Sequence, residues 1–152
     1  MIVSDSTTLI ILFDLKRVDL LENLFKRVVI PQRVYEEVSL KKPVRLPDFM
    51  EVVIVKESDT LDTLRLLLDE GESEAIALAK LMNFPIIIDE KKGRKIAKNL
   101  NLKVIGLLGV IYLNVKKGYM TLKDAEYFLE SAMSHGYRIK KKLVDDLLES
   151  LA

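Results

Sequence analysis

The chain has no cysteine and no tryptophan, a single histidine, four prolines and six glycines among its 152 residues. Without cysteine, disulfides, thiolate zinc sites and thiol nucleophiles are excluded, and nothing points to an oxidising compartment. The length suffices for a core that needs neither disulfide nor structural metal, so a single domain over residues 1–152 is expected. No apolar run approaches the roughly 20 residues that cross a bilayer, and the Met1–Ser4 start lacks the basic-then-apolar pattern of a signal segment. A soluble, cytoplasmic protein is the expectation. Charge of one sign is also lacking: 24 basic and 23 acidic residues nearly cancel. No global field draws the protein to nucleic acid or membrane, and any such attraction must come from local patches. Two are visible, Lys91, Lys92, Arg94, Lys95 and Lys98 in one segment and Arg138, Lys140, Lys141 and Lys142 in another, although either also reads as a solvated helix face. Glycine-rich dinucleotide and P-loop fingerprints are missing.

What the chain does have is alternation. Short β-branched runs at Ile2-Val3, Val28 to Ile30, Val52 to Val55, Ile86 to Ile88 and Val104-Ile105 alternate with helix-length amphipathic segments. That order predicts α/β architecture with a parallel sheet whose strands are buried on both faces. Helices are expected at about 7–14, 19–25, 31–39, 60–69, 73–82, 90–100 and 107–117, followed by a C-terminal pair at about 121–133 and 140–150. Pro31 suits a first helical position, Thr60 and Thr121 suit N-caps, and Gly71, Gly118 and Gly136 fall where helices should stop. Lys41 to Pro47 reads as a connecting loop.

The carboxylates fall where this architecture places ligand sites. Asp5 and Asp89 each follow an apolar strand, so parallel strands bring both to one sheet edge; each also serves equally well as the N-cap of the next helix. At 3.6 residues per turn, Glu37 lies beside the Val34/Val38 stripe while Glu36 faces away. Glu74 shares a face with Leu78 and Leu81, whereas Glu72 goes with Ile76 and Lys80, so Glu74 is the glutamate expected to point inward. A rim position for Glu37 and a favourable place near a helix start for Glu74 are the plainer explanations. Four carboxylates in close company repel by roughly 4 kcal/mol per close pair at an effective dielectric of 20, which calls for cations or protons. All-oxygen ligation suits Mg²⁺ or Mn²⁺, and such ions suit phosphodiester hydrolysis. Ser6 and Thr7 are candidates for orienting Asp5 or touching a phosphate, and helix capping explains them as well. Tyr112, Tyr119 and Tyr137 read as packing or interface residues, and His135 as part of a helix C-terminus.

These residues resemble the PIN-domain family, in particular the VapC-type toxins. Ile2 to Thr7 is similar to the family's first strand ending in aspartate and small hydroxyl residues; Pro31 to Val38 resembles its second motif, with Glu37 in the acidic position. Gly71 to Ala79 looks like the third, with Glu74 where aspartate is common, and Ile88-Asp89-Glu90 with Gly93, Arg94 and Ala97 like the fourth, without its usual threonine. Gly106 to Gly109 and the helical tail at about 121–152 resemble a subgroup with extra C-terminal helices. The resemblance implies a three-layer α/β/α sandwich with a central parallel sheet. It further implies a metal-dependent endoribonuclease in which Asp5, Glu37, Glu74 and Asp89, with Glu90 as alternate to Asp89, hold Mg²⁺ or Mn²⁺, and Ser6, Thr7, Lys91, Lys92 and Arg94 meet the RNA. A type II toxin role, a small antitoxin protein as partner and a homodimer come with it. The alternative is a PIN-shaped RNA-binding or scaffold module with weak or no catalysis.

Overall fold

Val28, Val29, Ile30, Ile86 and Ile87 are fully buried, as strands covered on both faces must be. In the computed structural model, which describes residues 1–40 and 43–152, these runs form a five-stranded sheet with every neighbouring pair parallel. The strands are β1 (Ile2–Ser4), β2 (Val28–Pro31), β3 (Met50–Val53), β4 (Ile86–Ile87) and β5 (Val104–Ile105), in the spatial order β3-β2-β1-β4-β5. The chain builds outward from β1 to β3, then returns to the other side of β1 for β4 and β5. The topological switch point therefore lies between β1 and β4, where open parallel sheets leave a crevice at their carboxyl ends. The Asp5 amide donates to the Ile87 carbonyl at 2.9 Å, holding the ends of those two strands together.

Helices flank the sheet to give the three-layer α/β/α sandwich. They are α1 (Ser6–Asp14), α2 (Asp19–Glu22), α3 (Gln32–Val38), α4 (Asp59–Arg65), α5 (Glu70–Met82), α6 (Lys91–Asn99), α7 (Leu107–Lys116), α8 (Leu122–Ser134) and α9 (Lys141–Leu151). The helix α5 packs on β1, β2 and β4 and is flanked by α3 and α4, which explains its alanine-rich sequence: Ala75, Ala77 and Ala79 are buried among close neighbours. The tail helices α8 and α9 pack on α7. Asn114 of α7 is fully buried, yet its amide donates to the Leu20 and Val110 carbonyls at 2.9 and 2.8 Å and accepts from Asn23, so its burial costs little. No described helix is long and apolar enough to cross a membrane.

Local punctuation differs from expectation in instructive places. Thr121 caps α8 in a reciprocal box with Asp124, and Gly118 and Gly136 adopt positive φ at helix ends, as anticipated. Pro31, however, closes β2 and precedes α3, and Ser58 rather than Thr60 caps α4, accepting the Leu61 amide at 3.1 Å. Gly71 sits inside the first turn of α5, because Asp69 caps that helix three residues earlier than expected. The edge strand β3 is offset by two residues from the apolar run at 52–55: Met50 is its buried residue, and Ile54 is exposed beyond its end. Pro43 to Pro47 form no regular element, while Lys41 and Lys42 of the expected loop lie outside the described residues.

Candidate functional site

Asp5 sits just past β1 and before α1, and its side chain makes no capping bond to that helix. It is 4% exposed and its Oδ1 has no hydrogen-bond partner. A buried carboxylate in that state holds its proton more tightly: burial, offset in part by the Ser6 amide and reinforced by Asp69, Glu37 and Asp89, pushes Asp5 up to about 7. The capping explanation for Asp5 therefore fails, and a group that is both buried and under-satisfied takes its place.

Glu37, near the end of α3, reaches the same place from the side. As its spacing predicts, it is half-buried while Glu36 is exposed. The Ser6 hydroxyl donates to its Oε2 at 3.0 Å, and Arg33 approaches its Oε1 at 3.9 Å. Burial and Asp69 raise its pKa against these two stabilising contacts. Its carboxylate lies over Gly71: a Cβ there would fall 2.0 Å from Glu37 Oε1, so only glycine leaves the carboxylate where it is. Gly71 thus serves close approach, which explains a glycine inside a helix despite its cost.

The α5 glutamates exchange roles relative to the sequence expectation. Glu72 is 8% exposed and its Oε2 is unpartnered, whereas Glu74 is only half-buried. Glu74 lies beside Glu70, with the Arg33 backbone as a hydrogen-bond partner and Arg65 as its cationic neighbour, while Glu72 feels Asp69, Asp5 and Glu90. The structure thus brings Glu72 rather than Glu74 to Asp5. The reason is the wide buried arc of α5: Gly71 to Ala79 are buried all round except at Glu74, and Leu81, which made the Glu74 face look apolar, is 77% exposed. Burial and the neighbouring acids hold Glu72 far above the usual carboxylate range. Asp69, which accepts the Glu72 amide at 2.8 Å, is a further site residue that the expectation missed. Its signal was an aspartate three residues before a glutamate at the head of an apolar run.

Asp89 follows β4 and is held from three directions. Its Oδ1 accepts from the Leu107 amide at 3.0 Å and the Tyr137 hydroxyl at 2.9 Å, and its Oδ2 accepts from the Thr8 hydroxyl. Glu90, its alternate, caps α6 by accepting the Gly93 amide at 2.8 Å. Thr8, which the sequence reading did not single out, is thus the hydroxyl that holds Asp89, while Thr7 is exposed. Arg94 is turned inward, donating to the Ile88 carbonyl at 3.1 Å, while Lys91 and Lys92 are exposed at the start of α6. Tyr137, read from the sequence as a packing or interface residue, also reaches the site from the α8–α9 connection. Burial and the Asp89 charge keep its phenol protonated, so it is a fixed donor. Tyr137→Phe should lower stability by about 2 kcal/mol, the scale of a hydrogen bond to a charged acceptor, as read by urea denaturation.

Among the described residues, no three acidic side chains yet converge closely enough to hold an ion. The donor set nevertheless fits a hard divalent ion, since Asp5 Oδ1 and Glu72 Oε2 are buried acceptors without donors. A solved structure of a PilT N-terminus domain protein from the hyperthermophilic archaeon Sulfolobus solfataricus P2 is similar at 18% identity, covering 92% of this chain and 100% of that one, with a TM-score of 0.40. No curated protein matches the chain significantly. A family model for the PIN domain, a nuclease fold whose members generally use divalent metals, matches residues 1–152 from end to end. With that match over an all-parallel sheet and acidic groups at its switch point, the chain belongs to the PIN-domain family.

Proposed function

We propose that this protein is a metal-dependent endoribonuclease in which Asp5, Glu37, Glu72 and Asp89 hold Mg²⁺ or Mn²⁺, Glu72 standing where the sequence suggested Glu74. The observation that carries the reading is the pair of buried, donor-free oxygens on Asp5 and Glu72 at the switch point of the sheet. When bound, such an ion supplies an activated water and neutralises charge on a phosphate undergoing in-line displacement. The chain's own groups prepare the place: Ser6 orients Glu37, and Thr8, Leu107 and Tyr137 fix Asp89. The exposed Lys91 and Lys92 attract the backbone of an RNA strand without reading its sequence. A cytoplasmic toxin role, with a small antitoxin as partner and a homodimer as the active assembly, belongs to this proposal through the family resemblance.

The test compares wild type, Glu72→Gln and Glu74→Gln on a mixed RNA pool in Mn²⁺, Mg²⁺ or chelator. Cleavage should require metal, fall on the order of a hundredfold in Glu72→Gln and stay within about threefold in Glu74→Gln, reflecting a displaced or retained reacting geometry. Equal loss in both variants would return Glu74 to the site. One observation favours the binding-module reading: Asp89 is already engaged by three donors, as a structural aspartate would be. RNA retained stoichiometrically with no turnover in Mn²⁺ would select that reading.

A further inference from the structure

The tail reaches the site through Tyr137, and what surrounds that tyrosine has no structural task yet assigned. The turn at Gly136, with φ of +96°, carries the chain from α8 into an extended segment before α9. There Met133, Tyr137, Arg138, Ile139 and Lys140 line an open depression of about 460 Å³, the scale of a small-ligand pocket. Its lining combines the mainly apolar Met133, Tyr137 and Ile139 with the cationic Arg138 and Lys140. Among the described residues, Arg138 and Lys140 make no ion pair, and Lys141 and Lys142 continue the positive charge onto α9, all four exposed. Tyr137 belongs to both places: it lines the depression and its hydroxyl lies 2.9 Å from Asp89 Oδ1. Adjacent Cα atoms are about 3.8 Å apart, so Arg138 begins within one residue of a side chain that touches the acidic cluster.

We infer that this depression is the RNA track on the tail side of the active site, an inference that rests on the nuclease reading. Arg138 and Lys140 bind successive phosphates of a single strand, and Met133 and Ile139 receive a base or ribose between them. The cluster itself repels phosphate, and the chain's net charge of +1 offers no compensating field. A strand can approach only along cationic rims. Lys91 and Lys92 provide one beside Asp89, and the 138–142 run provides the other through Tyr137. Single-stranded RNA fits better than duplex because a depression with both apolar and basic walls receives unstacked bases as well as backbone.

The test uses a fluorescently labelled single-stranded RNA oligonucleotide, with Asp5→Asn as the common background so that binding is read without cleavage in Mn²⁺. Adding Arg138→Ala and Lys140→Ala should weaken binding and reduce the steepness of log K against log salt by about 1.4, two phosphate contacts at roughly 0.7 each. The conservative pair Arg138→Lys and Lys140→Arg should keep the slope, which separates lost charge from lost structure. Unchanged affinity and slope in the alanine pair, with wild type still cleaving RNA, would overturn the track alone. No RNA binding in the background and no cleavage by wild type would overturn the nuclease reading and the track with it.

Discussion

Asp5→Asn should lose metal-dependent RNA cleavage by about a thousandfold or more, equivalent to roughly 4 kcal/mol of transition-state stabilisation. The same change should leave the fold intact. Asp5 contributes no capping bond to α1 and its Oδ1 is without a partner, while the hydrogen bond from the Ser6 amide can be accepted by the amide oxygen of asparagine as well as by the carboxylate. An amide in its place carries no charge to desolvate and can donate to the carboxylates around it. The combination of lost cleavage and retained or raised thermal midpoint separates a functional carboxylate from a structural one. A structural aspartate, such as one capping a helix, would instead cost about 1 kcal/mol of stability on removal.

The second large effect is on stability against pH in metal-free protein. Asp5 is raised from 3.8 to about 7 in the folded state, chiefly by burial. A folded-state value above the unfolded one means that the native protein binds the proton more tightly. The contribution of this group to stability is therefore fully present below about pH 4, is lost as pH rises towards 7 while only the unfolded chain has given up its proton, and is flat above that. Three pH units of linkage correspond to about 4 kcal/mol. Glu72 acts in the same direction and extends the fall to higher pH, because burial and Asp69 hold its proton too. Urea denaturation in chelator, from pH 4 to pH 8, should show wild type losing stability relative to Asp5→Asn across this window. Parallel curves for the two proteins would show that Asp5 is not under strain. Addition of Mn²⁺ at pH 8 should restore most of the difference, because a cation offsets the charge of the buried, ionised Asp5 and replaces the proton that Glu72 still holds.

Much of the architecture was legible because its causes are local. Strands buried on both faces must be apolar runs, so β1, β2 and β4 stood out, the half-buried edge strand β5 was marked by its β-branched Val104-Ile105 pair, and Asp5 and Asp89 followed directly from their positions after β1 and β4. The edge strand β3 was displaced because its apolar run continues past the strand into the exposed Ile54, so the run does not coincide with the paired residues. Glu37 could be oriented because α3 buries a narrow stripe through Val34 and Val38. The same method failed on α5, where close packing on several sides leaves no single apolar face, so helical spacing could not distinguish Glu72 from Glu74. Tyr137 was beyond local reasoning altogether: it is 48 residues from Asp89, and their hydrogen bond exists only because α8 and α9 fold back over α7. Thr8 is similar, being next to the expected Thr7 but turned by one helical step towards Asp89.

The central claim is that the buried carboxylates form a divalent-cation site, and Mn²⁺ titration of the metal-free protein tests it most directly. Calorimetry at pH 7 in two buffers of different ionisation enthalpy reads both binding and proton release. The account predicts saturable binding to wild type with protons expelled, because in the metal-free state Glu72 holds its proton and Asp5 is partly protonated, and binding much weakened in Asp5→Asn. Wild type that takes up no Mn²⁺, or Asp5→Asn that binds it equally well, would contradict the account.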